Sequence, residues 1–117
     1  MAKIKILGIG RDPVVLQKLL RFINENPGWE GTGTIDDKSA IAIFNQQKYS
    51  IVLLIDDLTK SSEENLRAEF LAKEPSVVFI KHYGDSTGLL SSELNESIQK
   101  NKIVALEEPP AEETPKK

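Results

Sequence analysis

The sequence predicts an α/β fold in which a five-stranded parallel sheet carries helices on both faces. The apolar run Ile51–Ile55 ends abruptly at Asp56 and Asp57, a pattern typical of a central strand that is buried on both faces. A second wholly apolar run, Val77–Ile80, has the same character. Segments with helical periodicity separate the apolar runs, and this alternation indicates βαβ units with a parallel sheet.

The first half of the chain is predicted to form strand, helix, strand and helix in turn. Lysines alternate with apolar residues at the start of Ile4–Ile9, which indicates the first strand. Asp12 can cap a helix that begins at Pro13, since its carboxylate can accept free N–H groups of the first turn. Proline suits the first helical position because the N–H that it lacks would have no partner there. Trp29–Ile35 contains two glycines, which favours a weaker strand at the edge of the sheet.

The second half continues the alternation and ends in a polar tail. A third helix is predicted to open at Ser61 or Ser62, and a fourth helix precedes a short fifth strand over Ile103–Leu106. Right-handed crossovers favour the flavodoxin-like strand order 2-1-3-4-5. We therefore expect one domain over residues 1–108 with about four helices and no helix after the last strand. Residues 109–117 are rich in proline and charge and are predicted to form a disordered tail.

Composition narrows the classes of function. The chain has 117 residues, a net charge of −3 and no concentrated basic block, which argues against non-specific nucleic-acid binding. It contains no cysteine, so disulfides, thiolate metal sites and thiol nucleophiles are excluded. No apolar run approaches the length of a membrane span or a signal peptide. We expect a soluble cytoplasmic protein that is not an enzyme and holds no metal or cofactor.

Two segments carry a resemblance to a known family. Ile6–Leu20 and Tyr49–Leu54 resemble the opening and the third strand of a response-regulator receiver domain, and the resemblance extends over about residues 3 to 108. It implies a site where an acidic pair and an aspartate after the third strand hold Mg²⁺. That aspartate accepts a phosphoryl group, which a hydroxyl side chain and a lysine then contact.

The resemblance implies a degenerate site of the pseudo-receiver type. The acidic pair falls on Gly10 and Arg11, and the phospho-acceptor falls on Ile55. The hydroxyl position falls on Lys81 or His82, and the lysine position falls on Glu107 or Glu108. The candidate site residues are Gly10, Arg11, Asp12, Asp56, Asp57, Lys81 and His82.

Arg11 places a cation where a metal would be bound. Two positive charges 4 Å apart repel by roughly 4 kcal/mol at an effective dielectric constant near 20. We therefore hypothesise that Arg11 occupies the metal position and pairs with Asp56 or Asp57. The alternative is that Arg11 points to solvent and that the two aspartates are turn residues.

These features predict a non-catalytic, receiver-like protein-interaction module in bacterial signal transduction that is not phosphorylated in the usual way. One alternative is an atypical receiver phosphorylated on Asp56 or Asp57. Another is a small nucleotide- or anion-binding domain that uses the backbone of Gly8–Gly10. The family's last helix is absent, so we expect exposed apolar surface near the first and fifth strands, covered by another protein or by a second copy.

Overall fold

The computed structural model describes residues 3–55 and 57–104. In this part of the chain, four parallel strands alternate with four helices. The elements are β1 (Ile4–Ile9), α1 (Pro13–Glu25), β2 (Trp29–Thr34), α2 (Asp37–Gln46), β3 (Ile51–Ile55), α3 (Lys60–Lys73), β4 (Val78–His82) and α4 (Thr87–Asn101). The strand order is β2-β1-β3-β4, so the order predicted for the first four strands is confirmed.

Side-chain caps set where the helices begin. Asp12 accepts hydrogen bonds from the N–H groups of Val14 and Val15 and caps α1 as predicted. The predicted start of α3 was wrong by one or two residues, because the helix begins at Lys60. The Thr59 hydroxyl accepts the N–H of Ser62 and satisfies a donor that has no partner within the first turn.

The predicted fifth strand does not appear in the described residues. Ile103 and Val104 belong to no strand, and the rest of the predicted strand lies outside the described residues. The position of α4 explains the difference, because Leu90 of this helix packs in the same core cluster as Leu19 of α1. A parallel strand beyond β4, reached over the α1 face, would require a left-handed crossover, and such crossovers are very rare.

Two apolar layers hold the sheet between the helix pairs. α1 and α4 cover one face, while α2 and α3 cover the other. The predicted exposure beside the first strand was wrong: Ile4 and Ile6 of β1 are only 8% and 0% exposed. They lie in the cluster that α1 and α4 cover, so α4 buries surface that the predicted fold would have left open.

Glycines allow α1 to approach the edge strand closely. A Cβ atom at Gly33 of β2 would lie 2.6 Å from Cδ1 of Leu20 in α1. Close packing of a helix on this strand, rather than a weak strand as such, therefore explains the glycine content of β2. Among the residues that the structure describes, none of the helices combines the length and the apolar character that a bilayer crossing requires.

Candidate functional site

The carboxyl ends of β1, β3 and β4 meet at one end of the sheet, where α/β folds usually bind their ligands. A cavity of about 260 Å³ lies at this end. Its lining residues are Asp12, Val15, Ile55, Asp57, Gly84 and Asp85. Asp56, a candidate from the sequence, lies outside the described residues.

Two positions that the resemblance assigns to chemistry pack tightly against each other. A Cβ atom at Gly10 would lie 2.6 Å from Cγ1 and 2.8 Å from Cβ of Ile55. Ile55 is itself only 2% exposed. A carboxylate at position 10 would therefore require the buried Ile55 to move.

The Asp57 carboxylate binds backbone N–H groups in the loop between β1 and α1. The N–H of Arg11 donates to both carboxylate oxygens, at 2.9 and 2.8 Å, and the N–H of Asp12 donates to Oδ2 at 2.8 Å. Consecutive N–H groups at a helix start form an anion-binding concavity. In this chain, its own carboxylate fills that concavity.

The N–H groups that could cradle a phosphate are thus largely engaged by the protein. The N–H of Gly10 donates to the carbonyl of Thr34 at 3.2 Å, while the next two N–H groups hold Asp57. Gly8 lies within β1, where an added Cβ atom would already touch Leu16 of α1 at 3.4 Å. A Cβ atom at Gly8 would thus make only an ordinary contact with α1, whereas the packing against Ile55 requires glycine at position 10.

The Arg11 guanidinium connects the starts of α2 and α3. Its Nη2 lies 2.7 Å from Oδ1 of Asp37 and 3.1 Å from the Ser62 hydroxyl, while Nη1 donates to the carbonyl of Ile35 at 2.8 Å. The guanidinium was predicted to pair with Asp56 or Asp57; Asp57 binds the main chain of Arg11 instead, and Asp56 lies outside the described residues. With 34% of its side chain exposed, Arg11 also does not simply point to solvent.

Lys81 lies on the α3 face of β4. Its Nζ is 2.5 Å from Oε1 of Glu63, and Arg67 binds the other carboxylate oxygen of Glu63. The hydrogen bond from Lys81 lowers the pKa of Glu63, with a further contribution from Arg67. The same contact raises the pKa of Lys81.

His82 points to the opposite face, because successive strand residues alternate. Its ring is fully buried, and Nδ1 lies 2.6 Å from Oε1 of Glu93 in α4. Nε2 has no hydrogen-bond partner among the residues that the structure describes. Lys81 therefore connects β4 to α3, and His82 connects β4 to α4. The structure does not bring these two side chains together with Asp57 in one site.

Sequence reasoning missed the partners of these side chains. Asp37, Glu63 and Glu93 all lie on helices, and only the fold brings them to Arg11, Lys81 and His82. Within residues 3–55 and 57–104, no three His, Asp or Glu side chains are grouped so that they could hold a metal ion.

Replacing Lys81 with methionine is expected to destabilise the fold by about 1 kcal/mol at neutral pH, the usual scale of one hydrogen bond. Lys81 and Arg67 hold the pKa of Glu63 below the usual glutamate value of 4.5. Ionised Glu63 therefore contributes its full stabilisation of the fold above pH 4.5. This contribution is lost as pH falls through the lowered pKa. Urea unfolding at pH 7 and pH 3 should therefore show a difference between wild type and variant that shrinks at the lower pH.

Lys18→Met is the matched control for this measurement. Lys18 pairs with Asp85 at 3.2 Å, but both side chains are more than half exposed, so we expect less than about 0.5 kcal/mol at either pH. An equal loss in both variants, or a Lys81→Met loss that persists at pH 3, would contradict the assigned role of Glu63.

The comparisons with known proteins agree with this fold. No protein-family model matches the sequence, and no curated protein matches it significantly. Among solved structures, the chain is similar to the crystal structure of a two component transcriptional regulator AraC from Clostridium phytofermentans ISDg, with a TM-score of 0.61. The match covers 86% of this chain and 98% of that chain at 15% sequence identity. This likeness shows a receiver-like α/β fold.

Proposed function

We propose that this chain is a receiver-like domain that acts as a protein-interaction module in bacterial signal transduction, without the usual phosphoryl transfer. The observation that carries the proposal is the contact between Gly10 and Ile55. These are positions where the resemblance implies a magnesium carboxylate and the phospho-acceptor. One has no side chain and no room for one, and the other is a buried hydrocarbon.

The role of Asp57 supports the same proposal. Its carboxylate holds the N–H groups of Arg11 and Asp12, so phosphorylation would break the contacts that order the loop before α1. Asp12, which follows Arg11 in the sequence, is engaged as the cap of that helix. These carboxylates therefore serve the loop, whereas phosphoryl transfer needs oxygen ligands free to bind Mg²⁺.

Incubation with acetyl phosphate and Mg²⁺, followed by intact-mass measurement, tests the proposal. We expect no added phosphoryl group, while an autophosphorylating receiver domain treated in parallel should gain one. A hydroxylamine-labile gain on Asp57 or Asp56 would establish the alternative, an atypical working receiver. Asp57→Asn and Asp56→Asn variants would show which carboxylate carries the group.

The second alternative, a nucleotide- or anion-binding domain, has a separate test. A ligand at concentration [L] stabilises a fold by RT ln(1 + [L]/Kd). Because Asp57 already occupies the N–H groups at the start of α1, we expect no increase in melting temperature with nucleotides or inorganic phosphate. A reproducible increase with one nucleotide would favour the binding-domain alternative.

A further inference from the structure

We propose that one exposed surface of this domain binds an amphipathic helix of another protein that carries carboxylates beside its apolar stripe. The surface, called the α3–β4 patch, consists of Arg67, Leu71, Phe79, Lys81 and Tyr83. This inference rests on the proposed function, and it names the surface and the class of partner.

The topology leaves room for a helix at this place. β4 is the last strand of the sheet in the described residues. Continuing the right-handed series from β3 to β4 would put the next helix beside α3, but α4 crosses to the α1 face. Phe79 and Lys81 point toward the α3 side and remain partly exposed, and no described helix covers them beyond α3.

The patch contains the side-chain types that commonly anchor protein interfaces. The Arg67 guanidinium lies 4.9 Å from the centre of the Phe79 ring, and Lys81 Nζ lies 5.8 Å from the centre of the Tyr83 ring. Tyr83 and Leu71 are 61% and 43% exposed. Leu71 lies one helical turn after Arg67, so both side chains lie on the same face of α3.

Charge determines which kind of helix fits. Both carboxylate oxygens of Glu63 are engaged, one by Lys81 and the other by Arg67. Two cations thus share one carboxylate, which leaves local positive charge on a chain whose net charge is −3. A partner carboxylate can therefore accept hydrogen bonds from the remaining donors of Arg67 and Lys81.

Nuclear magnetic resonance titration of the full ¹⁵N-labelled chain tests the proposal with two synthetic helical peptides. Both peptides carry leucines at i, i+3, i+4 and i+7; glutamates flank the stripe in one peptide and lysines in the other. We expect the glutamate peptide to shift the amide signals of the α3–β4 patch, and the lysine peptide to leave them unchanged. Arg67→Gln with Lys81→Gln should weaken binding at least tenfold.

Matched variants keep the result interpretable. Lys18→Gln with Arg21→Gln removes two charges from α1 and should leave peptide affinity unchanged. Tyr83→Ala removes an exposed ring and should weaken binding without lowering the melting temperature. Equal binding of both peptides, no binding, or shifts that map to another surface would overturn the inference.

Sedimentation at rising protein concentration tests whether a second copy of this chain, rather than a foreign helix, binds the α3–β4 patch. Self-association that Tyr83→Ala abolishes would make a second copy the partner and would overturn the proposal of a foreign helix. The outcome is separable from that of the proposed function: a phosphoryl adduct refutes that function whatever the peptides do, whereas failed peptide binding with no adduct refutes this surface alone.

Discussion

Replacing Gly10 with alanine is expected to destabilise the domain by about 1–3 kcal/mol, the usual cost of overpacking a filled core. The new Cβ atom would lie 2.6 Å from Cγ1 and 2.8 Å from Cβ of Ile55. The Cβ atom of Ile55 is fixed to the central strand, so rotating the side chain cannot remove the whole clash. Denaturant unfolding monitored by the fluorescence of the buried Trp29 would measure the loss.

Gly88→Ala is the matched control. A Cβ atom at Gly88 would meet only the Ser86 hydroxyl, at 4.0 Å, and the residue lies in the first turn of α4. Alanine there should stabilise the fold by about 0.4–1 kcal/mol, because it restricts the unfolded chain. A Gly10→Ala variant as stable as Gly88→Ala would contradict the tight contact on which the proposed function rests.

A double-mutant cycle makes the same prediction more specific. Ile55→Ala removes the γ carbons that collide with a new side chain at position 10 but keeps the β carbon. Gly10→Ala should therefore cost less in the Ile55→Ala background, with a coupling of about 0.5–3 kcal/mol. Strictly additive losses would mean that the two positions do not touch.

The sequence predicted the first four strands and the four helices well because their signals are local. A continuous apolar run indicates β3, and Asp12 before Pro13 marks the start of α1. The short apolar segment beginning at Ile103 predicted a fifth strand, which does not appear in the described residues. Whether a strand can follow β4 depends on the face of the sheet that α4 covers, and packing across the whole sheet determines that face.

The candidate site could be predicted only in part. The sequence placed Arg11 and Asp57 at the same end of the sheet, and the structure confirms their proximity. It could not predict that Asp57 binds main-chain N–H groups while the guanidinium binds Asp37, since both partners depend on loop geometry. A shift of one residue along β4 also sends Lys81 and His82 to opposite faces, so two neighbouring candidates in sequence cannot serve one site.

Replacing Phe70 with alanine is expected to cost about 3–5 kcal/mol, a larger loss than that expected for Gly10→Ala or Lys81→Met. Phe70 is 1% exposed, and its ring centre lies 4.3 Å from that of Phe44 in α2 and 6.4 Å from that of Phe79 in β4. One side chain therefore joins two helices and the outer strand. Its removal would leave a cavity between these elements. It would also remove the ring against which Phe79 of the α3–β4 patch stacks.

Leu71→Ala changes the next residue of the same helix. It separates the effect of lost burial on stability from the effect of a changed helix propensity. Leu71 is 43% exposed, so its truncation should cost no more than about 0.5 kcal/mol. Phe70→Leu keeps most of the buried volume and should fall between the two variants. If Phe70→Ala lost less than about 1 kcal/mol in denaturant unfolding, well under the cost of truncating a buried aromatic ring, α3 would not be packed on α2 and β4 as the aromatic contacts require.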